Sequence, residues 1–206
     1  MNLQFYFEKL IASEEFRKFK DENPEAYLCS GFIVIDKEQG KNQIHLDYYV
    51  PPQSIENSHS HARESKIIKE NSSVNDISAE DSGEAESGAI NNREKRGNIF
   101  SFHLQGNVEK VPIECINDQI PTKVGDGIDF EFDKIEKLIT NEMIYNNIDK
   151  KIQKILLSLQ NVEGKDCLIG TVFISGLGMI KIKIDLEEIK ITDFEKKSFM
   201  DIIRKK

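Results

Sequence analysis

Two predicted strands carry the side chains that could do chemistry. Residues 43–50 and 98–104 both alternate apolar with polar side chains, a pattern typical of a strand with one face packed on a core. Their polar faces carry the candidate binding residues His45, Asp47, Tyr49, Ser101 and His103. If the two strands pair, two imidazoles, a carboxylate and a phenol share one surface, where they could ligate a metal ion or supply a general base.

A later stretch of the chain offers an internal comparison for this surface. Residues 167–187 align without gaps to residues 29–49 and share five of 21 amino acids with them, whereas chance gives roughly one or two. At the positions aligned with the candidates of the first strand, the later stretch has Lys183, Asp185 and Glu187. These three residues make an ordinary charged surface. The polar face of residues 43–50 has therefore diverged from it towards residues that can do chemistry. A solvated sheet face also carries histidine and tyrosine without any function, and that interpretation stays open.

The first half of the chain predicts a helix followed by strands. The helix spans residues 3–20, and Ser13 followed by Glu14 and Glu15 could cap a second helix start, so a break near residue 13 stays open. The pattern then predicts strands over residues 26–36, 43–50, 98–104 and 108–114.

The second half predicts the same order of elements. Apolar residues from position 135 to position 159 recur at helical spacing and predict one long amphipathic helix, in which a kink at Asn146 and Asn147 stays open. Hairpin strands follow over residues 166–175 and 179–187. Thr192 and Glu195 fit a capping box for a short C-terminal helix, although a strand over residues 193–204 stays open.

Residues 53–97 differ from the rest in composition. They are rich in serine, asparagine, glutamate and glycine and contain no aromatic residue. Such a segment cannot bury enough apolar area to offset its conformational entropy, which costs about 1–2 kcal/mol for each ordered residue. We therefore predict a disordered insertion between two strands.

These elements predict an α+β fold of two similar lobes, each a helix packed on an antiparallel sheet, with the long disordered insertion in the first lobe. The first lobe covers residues 1–114, a connection covers residues 115–128, and the second lobe covers residues 129–206.

The charge and the apolar content exclude several classes of protein. The 206-residue chain has a formal net charge of -8 and no long basic run, so we expect no nucleic-acid partner. The first residues lack the basic region of a signal peptide, and no run approaches the roughly 18 apolar residues that cross a bilayer. We therefore expect a cytoplasmic protein that does not bind a membrane.

No cofactor is expected. Gly176 and Gly178 lie inside a predicted hairpin and lack the third glycine and the following helix of a dinucleotide-binding loop. The sequence also has no phosphate-binding loop, no Gly-x-Ser-x-Gly elbow, no paired Cys-x-x-Cys and no His-Glu-x-x-His motif.

Three short motifs carry a resemblance to known domains: Asn-Pro-Glu-Ala-Tyr-Leu at residues 23–28, Asp-Tyr-Tyr at residues 47–49 and Ile-Lys-Ile-Asp at residues 182–185. With the order of elements, they resemble tandem domains of the PepSY or cystatin-like type, in which a helix packs on a curved sheet. They are also similar to small uncharacterised archaeal proteins of that architecture. The resemblance covers most of the chain outside residues 53–97 and implies a binding role, with no catalytic residue to carry over.

The sequence therefore predicts a non-enzymatic binding or regulatory protein that contacts a protein or peptide partner. The alternative is a small hydrolase or metal-dependent enzyme centred on His45, Asp47 and His103. The identity of the partner and the oligomeric state stay open.

Overall fold

Two short helices open the chain because a serine cap divides its first apolar stretch. The computed structural model describes residues 2–52, 97–114 and 119–198. Helix α1 (Leu3–Ala12) ends at Ser13, and helix α2 (Glu14–Glu22) begins there, because the Ser13 hydroxyl accepts a hydrogen bond from the Phe16 amide at 3.2 Å. Such a cap satisfies an amide that the helix leaves unbonded. The break that the sequence left open near residue 13 is therefore present.

The strands of the described residues form one antiparallel sheet. Helix α3 (Phe132–Tyr145) separates its first four strands from its last four in the chain. The sheet has eight strands in the order β4-β3-β2-β1-β5-β6-β7-β8. The strands are β1 (Tyr27–Asp36), β2 (Gln43–Val50), β3 (Asn98–His103), β4 (Glu109–Ile113), β5 (Ile152–Val162), β6 (Lys165–Ile174), β7 (Gly178–Asp185) and β8 (Lys190–Ser198).

The predicted fold of two lobes, each with its own helix and sheet, is wrong. β1 pairs with β5 in antiparallel register, with Ile33 opposite Leu157 and Ile35 opposite Ile155. This ladder joins the strands before and after α3 in a single sheet. Without it, β1 and β5 would each be an edge strand whose row of amide and carbonyl groups lacked partners, which buried backbone cannot tolerate.

The predicted helix over residues 135–159 is wrong in its second half. α3 ends at Tyr145, and Asn147 follows in the left-handed conformation, with φ of 54°, which stops a helix. Residues 152–159 of the predicted helix belong to β5 instead. Every second side chain at the centre of that strand is buried, and Ile155, Leu157 and Leu159 are fully buried.

The chain ends, within the described residues, in a strand and not in a helix. Thr192 and Glu195 belong to β8, and Phe194 lies opposite Ile182 of β7 and packs on the core. Pairing with β7 satisfies the backbone here, so the capping-box prediction is wrong for these residues. Positions 199–204 lie outside the described residues.

The three described helices pack on one face of the sheet, and the core lies between them. The helices contribute Leu3, Leu10, Phe16, Phe19, Ile135 and Ile139, and the sheet contributes alternate residues such as Ile33, Leu46, Phe102, Leu157, Val172 and Ile182. Among the described residues, no helix has the length and apolar character that crossing a membrane requires.

The predicted domain boundaries stay a prediction. The predicted insertion covers residues 53–97, and all of it except residue 97 lies outside the described residues. In the connection, the Val124 amide donates to the Leu28 carbonyl at 2.9 Å, and the Gly125 amide donates to the Asp166 carboxylate at 3.0 Å. The connection therefore contacts strands from both halves of the chain. The described residues of Met1–Pro51 and Gly97–Lys206 belong to one compact unit.

Two buried aspartates end strands in the same way. Asp36 ends β1 and accepts hydrogen bonds from the amides two and three residues later, and Asp185 does the same at the end of β7. Each also pairs with a lysine, Lys154 at 2.8 Å and Lys165 at 3.6 Å. The Lys154 hydrogen bond lowers the pKa of Asp36, and the Glu188 amide lowers the pKa of Asp185, so both carboxylates are charged at neutral pH.

We expect Gly170→Ala to destabilise the sheet. A Cβ at position 170 would lie 2.1 Å from the Leu156 carbonyl oxygen and 2.8 Å from Leu157 Cδ2, so β5 and β6 would have to separate locally. The free energy of unfolding in urea should fall by about 1–3 kcal/mol.

Gly31→Ala is the matched control, because Gly31 also lies within a strand. Its Cβ would lie 3.2 Å from Leu46 Cδ2 and 3.3 Å from the His45 carbonyl oxygen, so these neighbours would have to move by only a few tenths of an ångström, much less than at position 170. Equal losses in the two variants would show that the approach of β5 to position 170 is not what requires glycine.

Candidate functional site

The five candidate residues of the sequence lie together on the sheet. β2 and β3 pair with His45 opposite His103 and Asp47 opposite Ser101, and Tyr49 lies opposite Ile99. These side chains alternate with the core residues, so they lie on the sheet face opposite the helices, which we call the outer face. One row of the outer face crosses every strand and consists of Glu109, His103, His45, Phe32, Ser158, Ile169, Lys183 and Asp193.

The two imidazoles are stacked on each other. The ring centroids of His45 and His103 are 3.9 Å apart, and the ring planes differ by 15°. The lone pairs of imidazole nitrogens lie in the ring plane, so two nearly parallel rings do not converge on one metal ion. Within the described parts of the chain, no three histidine, cysteine or carboxylate side chains are grouped to hold a metal.

Asp47 binds hydroxyl groups from both neighbouring strands. One carboxylate oxygen accepts a hydrogen bond from the Ser101 hydroxyl at 2.6 Å, and the other accepts one from the Ser30 hydroxyl at 2.7 Å. Ser101 is buried, and its hydroxyl is thereby satisfied. In a catalytic triad a histidine lies between the serine and the aspartate, whereas here the aspartate contacts the serines directly.

His45 is held towards its neutral form. Its pKa is lowered first by burial and second by the neighbouring His103, while Asp47 and a hydrogen bond with Gln105 act in the opposite direction. A neutral imidazole next to a second imidazole avoids the repulsion of two positive charges.

Tyr49 belongs to the packing of the outer face and not to an open site. It is 4% exposed, and its ring centroid lies 5.4 Å from that of Tyr27. Gly97 lies against it so closely that a Cβ there would be 2.3 Å from Tyr49 Cζ.

The centre of the outer face is apolar and partly exposed. Phe32 and Ile169 lie on either side of Ser158 and are 37% and 36% exposed. Such side chains at the middle of a sheet face are typical of a surface that contacts another molecule.

The aligned residues of the later stretch differ from the candidates in their roles. Lys183 lies on the outer face opposite Ile169 and Asp193. Asp185 caps the turn after β7, and the Glu187 amide donates to it at 2.9 Å. Asp185, which aligns with Asp47, therefore has a structural role. Both aspartates accept two hydrogen bonds, but those of Asp185 come from backbone amides and those of Asp47 come from serine hydroxyls.

Three residues of this surface were missed in the sequence. Ser30 and Phe32 lie on β1, which reads as a nearly continuous apolar run, and Gln105 lies in the predicted turn after β3. The hairpin register would have identified Ser30, because it lies opposite Asp47. No sequence signal identifies Gln105.

The comparisons with known proteins establish no family. No protein-family model matches the sequence, and a search of curated protein sequences finds no match. Among solved structures, the chain is similar to a "putative lipoprotein" from Clostridium difficile 630, with 10% sequence identity, a TM-score of 0.47, and coverage of 89% of this chain and 91% of that chain. The resemblance to PepSY or cystatin-like domains thus has no support from a family match.

We expect His103→Gln to raise the pKa of His45, measured by NMR titration of its ring protons. The substitution removes the second cause of the lowered pKa and leaves burial, the first cause, in place. Gln105→Ala should act in the opposite direction, because it removes a hydrogen bond that favours the charged form. An unchanged pKa in both variants would contradict this assignment of causes.

The lowered pKa of His45 also makes the free energy of unfolding depend on pH. As pH falls below about 6.5, the unfolded chain binds a proton at this position before the folded chain does. The contribution of His45 to the free energy of unfolding therefore decreases as pH falls, and stops decreasing once His45 is protonated in the folded state.

Proposed function

We propose that the chain is a non-enzymatic binding or regulatory protein whose outer face contacts a protein or peptide partner. The observation that carries the proposal is the exposed apolar pair of Phe32 and Ile169 at the centre of a sheet face that the described helices leave uncovered. The polar group around Asp47 lies beside this pair, since Ser30 and Phe32 are on the same strand. Protein interfaces combine an apolar centre with a polar rim in this way.

The charges that flank the apolar centre favour a partner with a matching pattern. On one side, Asp47 and Glu109 make no ion pair with the described residues; on the other, Lys181 and Lys183 lie opposite Glu195 and Asp193, so that side carries both signs of charge. We expect the partner to present an apolar segment with basic groups on the side of Asp47 and Glu109, because complementary charges raise the rate of association and fix the register of binding.

The binding role that the PepSY and cystatin-like resemblance implies is a finer hypothesis within this proposal. The cytoplasmic location likewise stays a prediction.

The alternative, a hydrolase or metal-dependent enzyme using the same face, has less support. The stacked rings of His45 and His103 are not arranged to share a metal, and Asp47 is bound by two serine hydroxyls instead of orienting a histidine. A general base must reach the proton that it removes, and no nucleophile in the described residues is hydrogen-bonded to either imidazole.

The proposal is tested by affinity capture from the native cell, comparing wild type with Ile169→Glu. A carboxylate at the apolar centre would have to be desolvated on binding, so recovery of a specific partner should fall at least about tenfold. Thermal unfolding of the variant should match that of wild type, because the side chain is partly exposed.

Ile144→Glu is the matched control, because Ile144 is 68% exposed on α3, away from the outer face. It should retain the partner. Equal recovery by wild type and both variants would place the binding surface elsewhere and would contradict the proposal.

A further inference from the structure

A cleft on the helix side of the sheet is independent of the outer face. It has a volume of about 670 Å³ and opens where α1 and α2 meet the start of β1. We call it the helix-side cleft, and its apolar lining consists of Phe7, Ile11, Phe16, Leu28, Tyr48 and Ile128. Its volume falls in the range of small-molecule sites, about 300–1,000 Å³.

The cleft leaves apolar surface in contact with solvent. Ile11 is 59% exposed, although α1 buries Leu3 and Leu10 completely. Covering a branched aliphatic side chain of this kind with an apolar ligand is favourable, because it removes the side chain from water.

The floor of the cleft carries one polar group without a partner among the described residues. The Tyr48 ring packs edge-on against Phe16 at 5.0 Å between centroids, and Tyr48 lies opposite Leu28 in the sheet. Its hydroxyl makes no hydrogen bond to the described part of the chain. Burial, and secondly the negative charge of Asp126, raise the pKa of Tyr48, so the hydroxyl is protonated and can donate.

Both lysines that line the cleft already have partners. The Lys20 ammonium donates to the carbonyls of Pro24 and Ala26 at 3.0 and 2.8 Å, and Lys123 pairs with Asp126 at 2.7 Å. An anion would have to compete with these contacts and would also meet the Glu25 carboxylate, which lines the cleft. A cation would have to displace Lys123 from Asp126 or pair with Glu25, which is exposed, so that solvent screens its charge.

We propose that the helix-side cleft binds an uncharged small molecule with an aromatic or branched aliphatic body and one hydroxyl group, which hydrogen-bonds to the Tyr48 hydroxyl. The body of the ligand packs against Ile11, Phe16 and Leu28. The apolar lining supplies affinity, and the single hydroxyl selects orientation, which is the usual division of roles in small-molecule sites. The proposal does not depend on the outer face having a partner.

The test is an NMR titration of the ¹⁵N-labelled full chain with toluene, p-cresol and benzoate. Toluene and p-cresol should shift the amide signals of Ile11, Leu28 and Ile128 saturably, with p-cresol binding tighter by about threefold to tenfold for one added hydrogen bond. Benzoate should bind more weakly than p-cresol. Tyr48→Phe should abolish the preference for p-cresol while leaving toluene binding unchanged.

Two matched variants complete the test. Tyr145→Phe removes the hydroxyl of a tyrosine that is 82% exposed on α3 and should keep the preference. Ile11→Glu should weaken both neutral probes, whereas Ile144→Glu should not, although both isoleucines are exposed on helices. The proposal is overturned if neither neutral probe gives saturable shifts, if the shifts lie away from the cleft, or if Tyr48→Phe keeps the preference for p-cresol.

Discussion

The ladder between β1 and β5 is the interaction on which the rest of the structure depends. It joins two sets of four consecutive strands, β1–β4 and β5–β8, into one sheet, and the residues at its centre, Ile33 and Leu157, are fully buried. Each set follows its own helical segment in the chain, but the described helices all pack on the same face of the joined sheet. One core therefore serves both halves, and the hydrophobic burial that stabilises either half depends on the other.

Because the helices occupy one face, the residues that alternate with the core lie on the outer face, which the described helices leave uncovered. A strand places successive side chains on opposite faces, so the same alternation that buries Leu46 presents His45 and Asp47 on the outer face. The chemistry of that face follows from pairing across strands. Asp47 accepts hydroxyl groups from β1 and β3, and the histidines stack on each other. These contacts satisfy the polar groups of Asp47, Ser30 and Ser101 among themselves.

The likeness between residues 29–49 and 167–187 marks two hairpins of similar local pattern and not two lobes. It aligns β1 with β6, whereas the order of elements after each helical segment matches β1 with β5. The aspartates show the same difference. The gapless alignment equates Asp47 with Asp185, but the capping contacts of Asp185 are those of Asp36. Similar hairpins arise wherever alternating strands flank a glycine turn, so a short likeness does not establish equivalent positions.

The sequence by itself determined the local features: the Ser13 cap, the alternation of β2, β3 and β7, and the placing of His45 with Asp47 on one face of β2 and of Ser101 with His103 on one face of β3. These depend on side-chain period and capping, which act between near neighbours. It did not determine that residues 152–162 form a strand, because their apolar spacing fits a helix as well and the choice depends on β1 and β6 being beside them. Only the tertiary structure decided the single sheet, the stacking of the two imidazoles and the partners of Asp47. Each of these is set by contacts between residues far apart in the chain, and the local sequence pattern carries no information about such contacts.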